Sequence, residues 1–332
     1  MSKKRTIDAF FGSPKPKKPR GEVDANKATP TGHSTHAAYP FPIPHLPASI
    51  GGELLESLPA RPGRAIDDQP DLDLLYFEPY VPRSTAQQLF RFLRESLPFY
   101  RVEYDIRRGG VSTHIRTPRW TTVFGVDDTS RFAEEDGAVV DARTRARVPT
   151  TGHDGRHYAK YPPRPIPMCL DDLRRSTEAA TGCKFNFCLV NYYASGSDSI
   201  SFHSDDERFL GPLPAIASFS LGATRDFLMK HKPVPKLADG AANGDDQREA
   251  KPLNLPLASG DMILMRGRTQ ANWLHSIPKR SGKDEQDGGR INITFRRAMV
   301  KAGSENYYNY NVNTGPVYRW DSVNREMKKW NP

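Results

Sequence analysis

The feature that most constrains the fold is a series of short apolar segments between residues 185 and 297. Turn-forming residues separate these segments, which read FNFCLVNYY, SISFH, AIASFSLG, DFLMKH, LPLAS, DMILMRG and INITFRR. Many short strands without intervening helices are typical of antiparallel sandwiches and barrels, whereas parallel sheets need a helix at each crossover. The sequence therefore predicts a mainly β core with antiparallel strands.

Two amphipathic helices are predicted ahead of this core. The first begins near Ser84 and repeats leucine at every fourth position up to Leu97. The second covers residues 166–182, where IPMCLDDLRRSTEAATG places apolar side chains on one face and Gly182 ends the helix. Both patterns have the helical period and ordinary start or stop residues.

Two histidines and one aspartate form a candidate metal site. His203 and Asp205 are two residues apart in SFHSDDERF, and His275 occurs about seventy positions later in NWLHSIPKR. Residues i and i+2 of an extended strand point the same way, so His203 and Asp205 can face one metal. Two imidazoles and a carboxylate are the facial ligand set of non-haem Fe(II) oxygenases, which leaves positions for a co-substrate and dioxygen. A His-x-Asp pair alone occurs often by chance, so a metal site needs support from a second motif.

The segment RINITFRR supplies that second motif. Its polar side chains alternate with apolar ones, so a strand would put Arg290, Asn292, Thr294 and Arg296 on one face. A guanidinium matches a carboxylate through two parallel hydrogen bonds, which suits the distal end of a dicarboxylate. The alternative is a half-exposed strand with solvated arginines, and the upstream His-x-Asp pair favours the ligand interpretation.

The longer motifs resemble the AlkB family of Fe(II)- and 2-oxoglutarate-dependent dioxygenases, and within it the nuclear homologues that repair alkylated duplex DNA. The resemblance covers roughly residues 70–300. It rests on FNFCLVNYYASGSDSISFHSDDE, IASFSLGATRDFLMKHK, LPLASGDMILMRG, NWLHSIPKR and RINITFRR, in that order. It implies a jelly-roll (double-stranded β-helix) core with flanking helices, and it implies Fe(II), 2-oxoglutarate and O2 as cofactor and co-substrates.

The resemblance also implies roles for particular residues. It makes His203, Asp205 and His275 the iron ligands. It assigns 2-oxoglutarate to Asn191, Tyr193, Arg290, Asn292, Thr294 and Arg296.

The implied reaction is oxidative removal of N-methyl groups from DNA bases, with formaldehyde, succinate and CO2 as products. The expected substrates, N1-methyladenine and N3-methylcytosine, are cationic, so a carboxylate beside the base would help to select them. Asp206 matches the family's base-contacting position, while Glu207 either serves the base too or pairs with Arg225. The alternatives are the same chemistry on single-stranded DNA or RNA, and a non-catalytic clamp- or DNA-binding scaffold. The complete triad and both arginines argue against the scaffold.

An enzyme that acts on a base inside a duplex must flip it out of the stack. Tyr158 lies where the family has an aromatic side chain for that base, but Lys160 replaces a second one, and Tyr161 comes next. Either the register slips by one residue or base stacking differs here.

The segment YDIRRGGVSTHIRTPRW, residues 104–120, occupies the place of the family's DNA-probing hairpin. Either Ile106 or Val111 would wedge into the base stack. A plain exposed hairpin would have a similar sequence. The turn residues offered to DNA are Arg107, Arg108, Gly109 and Gly110.

The first sixty residues are rich in Lys, Pro, Gly, Ser and Thr, which predicts a disordered tail. Within it, TIDAFF places Ile7, Phe10 and Phe11 on one face of a helical turn. This resembles the box by which repair proteins dock on the sliding clamp PCNA, with Lys4 in place of the usual glutamine. The adjacent PKPKKPR is interpreted as a nuclear localisation signal, a DNA-binding arm or a solvated charge run.

The chain thus divides into a tail (1–60), an N-terminal extension with a nucleotide-recognition lid (70–180), the dioxygenase core (181–300) and a C-terminal extension (301–332). The aromatic residues of the last segment would cover a sheet face or contact a partner. A net charge of +9 favours a polyanionic partner. The sequence has no run of 18 apolar residues and no apolar leader, and its three cysteines lack zinc-like spacing. These features argue against a membrane-spanning or secreted protein. The resemblance and the basic run indicate the nucleus, and we expect a monomer.

Overall fold

The strands predicted after residue 185 pair into two antiparallel sheets. The structure is a computed structural model, and it describes residues 32–148, 161–233, 250–280, 289–301, 303–312 and 315–331. The elements below belong to the unit His33–Pro332. The clamp-like box, the basic run, Tyr158, Lys160 and residues 234–249 lie outside the described residues.

The strands before the core are β1 His33–Ser34, β2 Ile43–Pro44, β3 Arg64–Ile66, β4 Leu74–Phe77, β5 Glu103–Arg108, β6 Val111–Arg116, β7 Trp120–Gly125, β8 Ser130–Phe132 and β9 Val139–Asp141. The remaining strands are β10 Phe187–Tyr193, β11 Ile200–His203, β12 Ile216–Gly222, β13 Arg225–His231, β14 Leu253–Leu257, β15 Met262–Met265, β16 Trp273–Ile277, β17 Arg290–Arg296, β18 Tyr318–Asp321 and β19 Glu326–Lys329. The α-helices are α1 Ala48–Glu56, α2 Arg83–Ser96, α3 Met168–Thr181, α4 Thr269–Asn272 and α5 Glu305–Asn311.

The core is a jelly roll of two facing sheets. The larger is seven-stranded, in the order β3-β4-β15-β12-β17-β10-β7, and the smaller is four-stranded, in the order β11-β16-β13-β14. Every pairing in these two sheets is antiparallel. The predicted mainly β jelly-roll fold is confirmed.

One hydrophobic cluster joins the larger sheet to the helices that cover its outer face. Leu89 and Leu93 of α2 belong to this cluster with Phe219 of β12 and Ile293 of β17. Apolar side chains at i and i+4 form the buried stripe that an amphipathic helix needs. The predicted helix is confirmed, with bounds of Arg83–Ser96.

A second hydrophobic cluster lies between the two sheets. It includes Leu189 and Ile263 from the larger sheet and Phe227 and Trp273 from the smaller one. Because side chains alternate along a strand, β17 contributes its apolar residues to the outer cluster and its polar residues to the space between the sheets. The arginines of β17 are 1% and 3% exposed, so the interpretation of this segment as a half-exposed strand is wrong.

The second predicted helix is also confirmed. Helix α3 covers Met168–Thr181, and Gly182 comes directly after it with φ of 71°. A left-handed residue directly after a helix is commonly glycine, because a Cβ is disfavoured there.

Part of the predicted disordered tail is folded, which corrects the boundary at residue 60. Ile43 and Leu54 are completely buried, and Ile50 is nearly so. Ile50 and Leu54 lie on helix α1. They join the cluster on the outer face of the larger sheet. The many prolines and glycines around them conceal this apolar pattern, because those residues are also typical of disordered segments.

The C-terminal extension packs against the fold. The rings of Trp120 and Tyr318 are 4.5 Å apart between centroids, and the Arg94 guanidinium lies 3.9 Å from the Trp320 ring centroid. Of the two alternatives, the aromatic residues of the β18–β19 hairpin therefore cover the fold. No helix within the described ranges is both long and apolar enough to span a membrane.

Candidate active site

Two adjacent strands of the smaller sheet bring the histidines of the predicted triad together. His203 ends β11, and it pairs in register with His275 in β16. Asp205 lies two residues beyond the end of β11. Its carboxylate oxygens lie 3.9 Å from His203 Nε2 and 3.8 Å from His275 Nε2. One ligand atom from each residue fits within 4.8 Å of the others, which is the clustering that a single metal ion requires.

The surroundings fix the charges of two of these ligands, His275 and Asp205. Burial lowers the pKa of His275 to about 3, so its imidazole is neutral near pH 7. Burial raises the pKa of Asp205, but the Arg296 guanidinium and the two histidines outweigh that effect and lower it below its ordinary value. A neutral imidazole and an ionised carboxylate are the forms that bind a divalent cation.

Hydrogen bonds orient the same ligands. His203 Nδ1 lies 2.9 Å from the carbonyl oxygen of Ser201, which leaves Nε2 toward Asp205. The backbone N–H of Asp205 donates to Gln270 Oε1 at 2.9 Å. Contacts of this kind hold a ligand ring or loop in the geometry that a metal needs.

A cavity of about 320 Å³ opens beside the triad between the two sheets. Its walls include all of the predicted iron and 2-oxoglutarate residues, namely Asn191, Tyr193, His203, Asp205, His275, Arg290, Asn292, Thr294 and Arg296. The structure thus brings together residues that span more than a hundred positions of the sequence.

Arg290 is a buried cation with free hydrogen-bonding capacity. Its side chain is 1% exposed, and Nη2 donates to Ser220 Oγ at 2.8 Å. Within the described residues, its Nε and Nη1 have no hydrogen-bond partner. Burial lowers its pKa to about 10, so the guanidinium remains charged at neutral pH. A buried charge with unmet donors is costly, and a bound carboxylate would satisfy both groups.

Arg296 has a different environment at the other end of β17. Its Nη2 lies 3.0 Å from Asp205 Oδ1, and its Nη1 donates to the hydroxyl of Tyr307. Glu207 Oε2 is 4.0 Å from the same Nη1 atom. Arg296 therefore holds the carboxylate of the triad in place while it also lines the cavity.

Several cavity residues are not predicted from the sequence as site residues. Tyr307, on helix α5 of the C-terminal extension, donates its hydroxyl proton to Glu207 Oε1 at 2.6 Å. Arg119 Nε donates to Asn191 Oδ1 at 2.9 Å and so positions a predicted 2-oxoglutarate ligand. The aromatic repeat NYYNYN is plain in the sequence, but nothing local in it indicates contact with a site that lies about a hundred residues away.

Asp206 does not line the cavity. Its side chain is 51% exposed and pairs with Lys232 Nζ at 2.8 Å. Glu207 lines the cavity instead, together with Asp205 of the triad. Arg225 donates to backbone carbonyls, including those of Asp198 and Pro278. Glu207 contacts Arg296 and Tyr307. Of the two alternatives for Glu207, the pair with Arg225 is therefore not formed. Base contact by Asp206 stays a prediction.

The predicted DNA-probing hairpin is a real hairpin. Strands β5 and β6 pair from Glu103↔Arg116 to Arg108↔Val111. Gly109 and Gly110 form the turn with φ of 56° and 82°, which glycine adopts readily. Val111 is 65% exposed at the tip, whereas Ile106 is half-buried. The DNA contacts of the turn residues stay predictions.

The comparisons with known proteins agree with this architecture. The model of the 2OG-Fe(II) oxygenase superfamily matches residues 73–296. DNA oxidative demethylase ALKBH2 of Arabidopsis thaliana is 30% identical over 263 residues, which are 76% of this chain and 75% of that protein. The Homo sapiens protein of the same name is 38% identical over 138 residues, or 42% of this chain and 49% of that protein. Alpha-ketoglutarate-dependent dioxygenase alkB homolog 3 of Rattus norvegicus is 40% identical over 142 residues, or 42% of this chain and 45% of that protein.

A jelly roll with this site and this family match defines an Fe(II)- and 2-oxoglutarate-dependent dioxygenase, which takes O2 as its oxidant. More narrowly, the chain belongs to the AlkB family of that superfamily. The predicted family, enzyme class and cofactors are confirmed. The roles of individual residues stay predictions.

Proposed function

We propose that this protein is an oxidative DNA demethylase that removes the methyl group from N1-methyladenine and N3-methylcytosine. Formaldehyde, succinate and CO2 would be the products. The observation that carries the proposal is that the triad of His203, Asp205 and His275 shares one cavity with Arg290, whose Nε and Nη1 have no hydrogen-bond partner among the described residues. The names of the relatives, DNA oxidative demethylase ALKBH2 among them, support DNA as the substrate.

The three triad residues would hold Fe(II). The donor set fits that ion, because it offers two imidazole nitrogens and one carboxylate oxygen within 4.8 Å of one another. When bound with 2-oxoglutarate and O2, the iron supplies the oxidant that hydroxylates the methyl carbon. The hydroxymethyl group on the base nitrogen then leaves as formaldehyde, and the unmodified base remains.

Arg290 would pair with the distal carboxylate of 2-oxoglutarate through Nε and Nη1, the two groups for which the described part of the chain offers no hydrogen-bond partner. Ser220 holds the guanidinium through Nη2, so the side chain is oriented before the co-substrate arrives. Preorganisation of this kind lowers the cost of binding. Asn191, fixed by Arg119, and the other polar residues of β10 and β17 would line the rest of the co-substrate site.

The cavity also suits a cationic base. Glu207 faces it, and the hydroxyl of Tyr307 holds the carboxylate in position. A carboxylate held in a low-dielectric cavity favours methylated, positively charged bases over unmodified ones. Glu207 is therefore our candidate for base selection.

DNA binding would come from the basic character of the chain and from the exposed hairpin. The net charge is +9, and Arg107 lies at the exposed end of β5 beside the Gly109–Gly110 turn. An exposed basic turn can track the phosphate backbone while an apolar residue such as Val111 enters the base stack. Nuclear location and PCNA docking through Ile7, Phe10 and Phe11 are proposed from the sequence alone.

The proposal is tested with the full-length, iron-supplied protein and matched single- and double-stranded oligonucleotides that carry one N1-methyladenine. Formaldehyde and succinate are measured together, and unmethylated oligonucleotides serve as controls. We expect formaldehyde only with the methylated strands and higher turnover on the duplex. Release confined to single strands would favour the single-stranded alternative, and no methyl-dependent release from any strand would overturn the proposal.

A further inference from the structure

Helix α5 lies beyond residue 296, where the family match ends, yet it forms part of the active-site wall. We propose that Tyr310 on this helix is a substrate-specificity residue whose ring stacks on the cationic methylated base at the mouth of the cavity. This inference rests on the proposed demethylase function.

The core holds α5 firmly in place. Tyr308 is completely buried, and its hydroxyl donates to the carbonyl oxygen of Gly125 at 2.8 Å. At the C-terminal end of the helix, the Thr121 hydroxyl donates to the carbonyl oxygen of Asn311. Both partners belong to β7, at the edge of the larger sheet. The helix is therefore docked on a strand rather than loosely attached.

The contacts of Tyr307 fix which face of helix α5 points toward the site. Its hydroxyl contacts Glu207 and Arg296, and its ring lies 5.5 Å from Phe187 and 5.3 Å from Phe209 between centroids. Tyr310 is three residues further along. Side chains at i and i+3 share one face of a helix. Tyr310 therefore lies one helical turn beyond Tyr307, on the helix face that points toward the cavity.

The position of Tyr310 is not explained by packing. Its side chain is 66% exposed although it lines the cavity. A ring that is largely exposed to water contributes little to folding stability through burial, so burial does not explain why Tyr310 lies at the cavity. Tyr104, on β5 of the hairpin, is 46% exposed and lines the same cavity. Two exposed aromatic rings at the entrance of a site beside the triad provide flat faces for a flipped base.

The charge of the substrate gives Tyr310 a selective role. N1-methyladenine and N3-methylcytosine carry a positive charge, and the face of an aromatic ring attracts cations. A neutral methylated base such as N3-methylthymine would gain only ordinary stacking. Loss of the ring should therefore weaken binding of cationic bases more than binding of neutral ones.

The test compares Tyr310→Ala with Tyr310→Phe in the full-length, iron-supplied protein. Val323→Ala is the matched control, because Val323 is 88% exposed in the same C-terminal extension and does not line the cavity. Formaldehyde release is measured with two oligonucleotides that differ only in a single N1-methyladenine or N3-methylthymine. KM and kcat are determined separately for each, and KM for 2-oxoglutarate reports on the rest of the site.

We expect Tyr310→Ala to raise KM for the N1-methyladenine oligonucleotide by about tenfold, with a smaller rise for N3-methylthymine. The Phe variant should keep the wild-type KM, because the ring and not the hydroxyl makes the contact. Val323→Ala and the 2-oxoglutarate KM should not change.

An unchanged KM in an active Tyr310→Ala variant would overturn the inference and leave the demethylase function standing. Equal losses on both bases, or a loss that Phe does not rescue, would overturn it as well. If the wild-type protein released formaldehyde from neither oligonucleotide, the proposed demethylase function would be wrong, and the inference that rests on it would be wrong as well.

Discussion

His203 and His275 lie opposite each other on the antiparallel strands β11 and β16, with ring centroids 4.3 Å apart. Ladder pairing fixes the distance between residues on neighbouring strands, so the two imidazoles are brought together by the sheet itself. Asp205, just beyond β11, completes the set and is held by Arg296 at 3.0 Å. The candidate metal site is thus anchored to regular secondary structure, which is the most precise support a site can have.

Asp205→Ala and His203→Ala should both abolish turnover, but only Asp205→Ala should destabilise the fold. In Asp205→Ala, the buried guanidinium of Arg296 loses its closest carboxylate, which should cost about 3–5 kcal/mol of unfolding free energy. In His203→Ala, a side chain that is 32% exposed disappears, and stability should change little. Formaldehyde assays and chemical denaturation of both variants check this. Demethylation by iron-supplied Asp205→Ala would contradict the triad assignment.

Arg290→Ala should raise the KM for 2-oxoglutarate strongly and leave DNA affinity close to that of the wild type. A charge-assisted hydrogen bond is worth about 1.5–3 kcal/mol, so the loss of two corresponds to at least about a hundredfold effect. Arg297→Ala is the matched control, because that neighbouring guanidinium pairs with Asp128 at 2.8 Å on the surface. Co-substrate titration of both variants is the measurement. Equal KM values for the two would show that β17 does not bind the co-substrate in this way.

Acid should destabilise the metal-free protein partly through His275. Its pKa is about 3 in the folded state against an ordinary value of 6.5, so the unfolded chain binds the proton first. The folding stability that depends on a neutral His275 is therefore complete above pH 6.5 and is lost progressively as the pH falls toward 3. Between pH 7 and pH 5 this amounts to about 2 kcal/mol. Denaturant unfolding should show that the free energy of unfolding falls more steeply with decreasing pH for the wild type than for His275→Gln. Parallel pH dependences would contradict a low pKa for His275.

Clamp docking should depend on the N-terminal aromatic residues. Burial of Phe10 and Phe11 is worth roughly 3–6 kcal/mol gross, reduced by the cost of ordering a free segment, so micromolar affinity is expected. A peptide of residues 1–20 should bind PCNA in calorimetry, the Phe10→Ala/Phe11→Ala peptide should not, and Asp8→Ala should bind as the control. Absence of binding by the unmodified peptide at high micromolar concentration would refute docking.

The His203–Asp205 pair and the β17 strand can be predicted from the sequence because their signals are local. A His-x-Asp pair at strand spacing and a polar-apolar alternation are both visible within seven residues. Strand β16 is not predicted, although its His275 is, because Trp273–Ile277 is a short strand that begins directly after the one-turn helix α4. The folded residues 33–60 are hidden for another reason, because their composition resembles that of a disordered tail.

The remaining differences require the three-dimensional structure. If residues alternate after β11, then Asp205 and Glu207 share one side and Asp206 points the other way, which is what the structure shows. The resemblance to the family indicates Asp206 instead. Tyr307 and Tyr310 reach the cavity only because α5 docks on β7, and long-range docking of that kind leaves no local pattern.

The most direct test of the central claim is the stoichiometry of the reaction on an N1-methyladenine duplex. Mass spectrometry of the oligonucleotide is combined with formaldehyde and succinate measurements, with the iron-supplied wild-type protein and the His275→Ala variant side by side. We predict conversion to unmodified adenine with equal amounts of formaldehyde and succinate for the wild type, and none for the variant. Succinate release without loss of the methyl group, or demethylation that persists without His275, would contradict the account.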